Sequence, residues 1–172
     1  MLEFNVEKIN IPLKQHVGGP CQPIVNVGDH VKRGQLVATP NGLGANIHTS
    51  LSGVVEEVND MEIIVKLDKE QTDDYVRLEQ TDDKLQKIKD AGIVGVGGAG
   101  FPTGIKLSAQ IPGGYVIANA AECEPILGHN VKFMEENPEV LVRGLKYIVE
   151  LTGAKEGYIA IKTKYRKAML AL

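Results

Sequence analysis

The sequence predicts a two-part α+β chain: a small β sandwich or barrel over residues 1–67, a polar linker over 68–82, and an incomplete α/β layer over 83–172. Three observations carry this. The first third holds short Val- and Ile-rich runs separated by turn residues, the mark of a small all-β unit. After residue 83 the apolar spacing changes from alternation to helical periodicity. Two apolar runs then flank one long amphipathic run, and strand, helix, strand in that order implies a parallel βαβ unit.

In the first part, strands are expected at Ile24 and Val25, at Val31, over 35–38, over 53–58 and over 61–67. Between them lie Val27-Gly28-Asp29, Lys32-Arg33-Gly34, Asn41-Gly42 and Asn59-Asp60, all turn-forming. Residues 68–83 are almost wholly polar and form the expected linker. Asp82 and Asp83 stand before Leu85, Ile88 and Ala91, and Gly92 follows, which predicts a short helix over 83–91. Pro102 suits the first position of a helix running to about Ala109. Pro112-Gly113-Gly114 is a turn and 115–118 a buried strand. Asn137, Pro138 and Glu139 open a helix whose apolar residues Val140, Leu141, Leu145, Ile148 and Val149 share one face, and Gly153 closes it. Residues 158–161 are a second strand, and a last helix starts near Lys164. So few strands leave a sheet edge bare; the sequence therefore reads as a piece of a longer protein.

Composition narrows the function classes. The chain has 172 residues with 43% hydrophobic and 24% charged residues and a net charge of −3. That balance gives no basic footprint for nucleic acid. No apolar run approaches the ~18 residues of a membrane span, so direct membrane insertion is not expected. The first twenty residues carry Glu3 and Glu7 and no continuous apolar stretch, unlike a secretory signal. Cys21 and Cys123 are the only cysteines, too few for a four-thiolate zinc or iron–sulfur centre and no reason to infer a disulfide scaffold. A reducing cytoplasm is the expected compartment. Cys123, between Glu122 and Glu124, is expected to be a buried structural thiol, since flanking negative charge disfavours a thiolate. His16, His30 and His48 sit on separate segments without a close ligand spacing, and no metal site is expected. No Ser/His/Asp or Cys/His arrangement suggests nucleophilic catalysis, so no catalytic residue is assigned.

Residues 27–37 resemble the turn and strand of biotinyl- and lipoyl-type barrel-sandwich hybrid domains, and Ser52-Gly53-Val54-Val55 fits their second element. A carrier of that type needs a lysine at an exposed hairpin between the two. No lysine lies between Gln35 and Val65, and residues 41–46 occupy the hairpin's place. The resemblance thus implies the fold without the swinging arm.

Glycine, at 19 residues, exceeds its usual share of about 7%, and it clusters at 92–100. Gly95, Gly97 and Gly100 have G-x-G-x-x-G spacing, but a helix-like segment precedes them where a dinucleotide fold has a strand. Alone, the run fits a turn between helices as well as a loop that lets backbone approach a phosphate or ring. Lys106, one turn beyond Pro102, supplies a positive charge. Residues 119–125 follow the strand at 115–118, and polar groups at the C-terminal end of a parallel strand are where open α/β sheets bind ligands. Read alone, the segment is an acidic loop. About twenty residues after the glycine run, it reads as part of a nucleotide pocket.

Together these strings carry a specific resemblance. Gly95-Val96-Gly97-Gly98-Ala99-Gly100-Phe101-Pro102-Thr103-Gly104-Ile105-Lys106 is similar to the flavin loop of the 51 kDa subunit of complex I. Asn119-Ala120-Ala121-Glu122-Cys123-Glu124-Pro125 resembles the acidic segment of that family in its RnfC form, found in the Rnf electron-transport complex and in soluble relatives. Those relatives include the electron-transfer protein associated with proline reductase and the cobalamin reductase of diol-utilising microcompartments. Residues 11–18 resemble the RnfC N-terminus. The resemblance implies a barrel-sandwich hybrid followed by part of a flavin-binding α/β domain. It implies FMN contacts at Gly95, Gly97, Gly98, Gly100, Lys106, Asn119 and Glu122, and an NADH-facing set of Phe101, Lys106 and Glu124. Hydride transfer to a flavin requires orientation by the protein and no general base. Electrons from NADH would pass through FMN to iron–sulfur centres whose ligands lie beyond residue 172, then to other electron-transfer subunits or an acceptor reductase. The implied location is cytoplasmic, with peripheral attachment to the inner face of the cell membrane. Two departures stand out: Ala121 replaces the aspartate of the complex I form, and Lys162-Thr163-Lys164-Tyr165-Arg166 occupies an expected acidic segment. The rival reading is a partner-docking module with a degenerate flavin fold.

Overall fold

The computed structural model describes residues 6–96, 99–123 and 126–172. In chain order the elements are β1 (Lys8–Pro12), β2 (Gln22–Pro23), β3 (His30–Val31), β4 (Leu36–Thr39), β5 (Ile47–His48), β6 (Gly53–Val58), β7 (Glu62–Leu67), α1 (Lys84–Asp90), α2 (Thr103–Lys106), β8 (Tyr115–Asn119), α3 (His129–Glu136), α4 (Pro138–Thr152), β9 (Glu156–Ala160) and α5 (Arg166–Ala171). They fall into two compact units, residues 1–106 and 107–172.

In the first unit two antiparallel sheets share one core. One sheet has the order β1-β7-β6-β3 and the other β2-β4-β5. The core takes alternate residues from both: Ile11 from β1, Val31 from β3, Val37 from β4, Ile47 from β5, Val55 from β6, and Ile63 and Val65 from β7. Alternation puts these side chains on one face of each strand and charged residues such as Lys8, Glu56 and Lys66 on the other. Among the described residues the strands form a sandwich and no closed barrel. β1 is an edge strand paired in register with β7, Ile9 opposite Val65 and Ile11 opposite Ile63. Its terminal Pro12 therefore removes no interior ladder bond.

The expected linker has no helix or strand but is bonded to the sandwich. The Gln71 side chain donates to Ser52 O (2.8 Å) and accepts from Ser52 N (2.9 Å), and Val76 N donates to Arg33 O (2.8 Å). α1 starts as expected, with Asp83 Oδ1 accepting from Gln86 N at 3.0 Å. The first compact unit also includes α1 and α2. α2 is a single turn from Thr103, shorter than the helix expected to reach Ala109. Pro102 is spent in a bridge with Val94, so the helix begins one residue later.

The second unit is the expected βαβ layer. β8 and β9 pair in parallel, Tyr115 opposite Glu156 through Asn119 opposite Ala160. α4 opens with Pro138 in its first turn and ends on Gly153 in the left-handed conformation, and it packs on both strands. α3 and α5 pack together and bury Met134 and Ala168.

Candidate functional site

The glycine loop is closed at its base by backbone bonds. Thr103 N donates to Ile93 O (2.8 Å) and Gly95 N to Phe101 O (2.9 Å), around the antiparallel bridge between Val94 and Pro102. The two ends of the loop are thereby held side by side at the start of α2. Gly100 adopts φ +62°, a conformation costly for any residue with a Cβ. Gly95 is different. Its φ is not positive, and a Cβ there would meet nothing closer than Phe101 N at 3.7 Å, ordinary contact. Neither conformation nor internal packing requires a glycine at 95, so the missing Cβ leaves room on the loop's open side. At the end of α2 the exposed Lys106 holds its ammonium 5.8 Å from the centroid of the Phe101 ring, a cation–π distance. A cation, an aromatic face and an uncrowded glycine loop fit a ligand that has both an anionic group and a planar ring.

In the second unit the chain leaves β8 at its C-terminal end. Asn119 Oδ1 accepts from Ala121 N (3.1 Å), turning the backbone, and Ala120 N donates to Ala160 O (2.9 Å), extending the ladder by one rung. Glu122 is buried at 8% exposure. Its carboxylate accepts from Cys123 N (3.1 Å) and from Asn130 Nδ2 (2.8 Å). Lys162, just past β9, donates to Glu122 O at 2.6 Å. The lysine that replaces an expected acidic segment thus ties together the C-terminal ends of the two parallel strands.

Residues 4–79 match the RnfC barrel sandwich hybrid domain and residues 88–172 the Nuo51 FMN-binding domain. The chain belongs to the RnfC-like family. It is 35% identical over 96% of its length to the C subunit of the proton-translocating ferredoxin:NAD(+) oxidoreductase complex of Clostridium ljungdahlii, and spans 40% of that relative. It is 37% identical over 96% of its length to the Na(+)-translocating counterpart of Acetobacterium woodii, spanning 42% of it. Against cobalamin reductase PduS of Salmonella typhimurium it is 47% identical over 53% of this chain and 20% of the relative. The family is one of electron-transfer oxidoreductases with an FMN-binding domain.

Of the site residues expected in this RnfC-like chain, Gly95, Gly100, Phe101 and Lys106 lie together on the bridged loop and α2. Asn119 and Glu122 lie together at the end of β8. Gly97, Gly98 and Glu124 lie outside the described residues. The expectation for Cys123 is corrected: its thiol is exposed. Glu122 turns inward to meet Asn130, and the next side chain consequently points outward. A Cys–His pair is also present, although the sequence pattern suggests none. Cys21 Sγ lies 3.4 Å from His16 Nε2, both buried in the sandwich. It is no activated nucleophile: burial pushes the thiol pKa up, and the S–H donates to Ala45 O (3.3 Å). His30 pairs with Asp68 at 2.9 Å, and burial lowers the pKa of His48. Among the described residues no three His, Cys, Asp or Glu side chains could hold a metal ion, and no helix is long and apolar enough to cross a membrane.

Proposed function

We propose that this chain forms the flavin-loop portion of an electron-transfer protein that takes electrons from NADH through FMN and passes them to iron–sulfur centres and a downstream acceptor. The observation that supports this best is the uncrowded glycine loop ending on Lys106. Bound FMN supplies electron transfer at its ring system; the protein supplies position and charge. Gly95, Gly97, Gly98 and Gly100 let the backbone come close to the cofactor, and Lys106 offers one charge-assisted bond to its phosphate. Phe101 and Glu124 face the nicotinamide side. Asn119 acts through the turn it makes after β8. Glu122 acts by holding the loop, since its carboxylate already serves Cys123 and Asn130. No residue is asked to move a proton. The names of the relatives, ferredoxin:NAD(+) oxidoreductase subunits and a cobalamin reductase, favour an NAD-linked donor and other electron-transfer subunits or an acceptor reductase as partners. The assigned location is the cytoplasm, peripheral to the inner face of the cell membrane. The domain join is assigned to 68–82, ahead of α1.

The test is FMN titration of the full natural protein, followed by addition of NADH. FMN fluorescence should quench on binding, and NADH should bleach the flavin absorbance. Lys106→Ala should weaken FMN binding by about tenfold, the lower end for a charge-assisted bond because the side chain is exposed, and less at high salt. Full-length protein that binds no FMN would leave the docking module as the better reading.

A further inference from the structure

We infer that His16, a buried histidine of the β sandwich, is a positioning residue for the glycine loop. The imidazole is 6% exposed and fixed on both nitrogens. Ala45 N donates to Nε2 at 3.1 Å. Nε2 also lies 3.2 Å from Ala45 O, and Nδ1 lies 3.0 Å from Val17 O, a carbonyl that can only accept, so Nδ1 is the nitrogen that donates. Cys21 completes the clamp by donating to Ala45 O. The ring therefore locks residues 16–17 to residue 45, 29 positions apart.

Those two segments are the seats of the glycine loop. At the loop's far end, a Cβ on Gly100 would lie 3.3 Å from Gln15 O and 3.4 Å from His16 Cα. At its near end, a Cβ on Gly92 would lie 2.1 Å from Asn46 O, next to Ala45. Asn46 Nδ2 also donates to Asp90 O at 3.4 Å. Both ends of residues 92–100 thus rest on backbone that one imidazole ties together. Gly44 is shaped to the same ring and to Pro40: a Cβ there would stand 2.8 Å from His16 Cε1 and 2.5 Å from Pro40 Cβ. Without the clamp, the two seats move independently. The loop then samples a binding-competent shape for only part of the time, and apparent affinity falls by that fraction. The effect on cofactor rests on the FMN reading above; the effect on loop order does not.

Two measurements on the full natural protein separate these. One is the FMN dissociation constant. The other is amide hydrogen exchange of residues 92–103 without flavin, which reports local opening. His16→Phe keeps a ring between Gly44 and the loop but removes the acceptor. It should raise the dissociation constant by about tenfold, as a competent fraction of about a tenth requires, and raise loop exchange well above that of wild type. His16→Gln, which restores an acceptor for Ala45 N, should recover most of both. Ile63→Ala, in the core of β7, is the control: it lowers the melting temperature while leaving both readings near wild type. Should His16→Phe fail to fold, His16→Leu, which fills part of the same space and also lacks the acceptor, decides in its place. A His16 variant whose loop exchanges like that of Ile63→Ala overturns the inference. Wild type that binds no FMN, with loop exchange still raised in His16→Phe, overturns the FMN reading and leaves the positioning role standing.

Discussion

Gly92→Ala is a quantitative test of how tightly the glycine loop is seated. Gly92 follows the C-cap of α1, donates to Lys89 O at 3.0 Å and has φ +64°. An alanine held in that left-handed region costs about 1–2 kcal/mol. Its Cβ would also sit 2.1 Å from the Asn46 carbonyl oxygen and 3.0 Å from the carbonyl carbon. Both neighbours are backbone, so no side-chain rotation relieves the clash. One segment must withdraw, and the Asn46 bond to Asp90 O goes with it, a further ~1 kcal/mol. The restricted unfolded chain returns about 0.4–1 kcal/mol. The net expectation is a loss of about 1–2.6 kcal/mol. Gly28→Ala is the matched comparison: φ is +94° and a Cβ would meet nothing within 4 Å, so the conformational cost stands alone at about 1 kcal/mol. Equilibrium urea unfolding followed by circular dichroism, with the slope unchanged, gives both numbers. If the two variants lose the same stability to within about 0.5 kcal/mol, the close approach of Asn46 to Gly92 is refuted.

Two further outcomes follow from the two cysteines and from α1. A thiol reagent should label the exposed Cys123 promptly in the native protein and Cys21 only on unfolding. Because burial raises the Cys21 pKa, its contribution to stability is full below the ordinary thiol range of about 8.5 and is lost as pH rises through the raised value. Cys21→Ala should therefore flatten the alkaline limb of a stability–pH curve. Asp83→Ala removes the side-chain acceptor for Gln86 N and should cost about 1 kcal/mol, read as a lower urea midpoint.

The parts legible in the sequence are those whose signal is local. β6, β7 and α4 have enough residues to show a period, and Asp83 and Gly153 mark ends by their own chemistry. β5 has two residues and no period to display. α3 begins just after Gly128, which has no side chain to cap it, so nothing in the sequence announces it. β1 does alternate, Ile9 and Ile11 against Lys8 and Asn10, and its edge position explains the closing proline. Cys123 departs from its expectation because flanking charge says nothing about which side chain turns inward; Asn130, on α3, decides that. At the glycine loop, spacing alone suggests proximity to a ligand. The contacts that seat the loop join residues 15–16 to 100 and 46 to 92, separations at which no local pattern operates.

Those same contacts explain why a carrier-type fold persists here without a carrier's lysine. A swinging arm requires its hairpin to stand clear of the rest of the chain. In this protein Gly44 and Ala45 are buried, Ala45 is bonded to His16, and Asn46 meets Gly92 and Asp90. Placing a lysine at 45 or 46 would bury an ammonium or displace the first turn of the glycine loop, and either is costly. The hairpin supports the loop that ends on Lys106, and in that position it has no freedom to carry a group elsewhere.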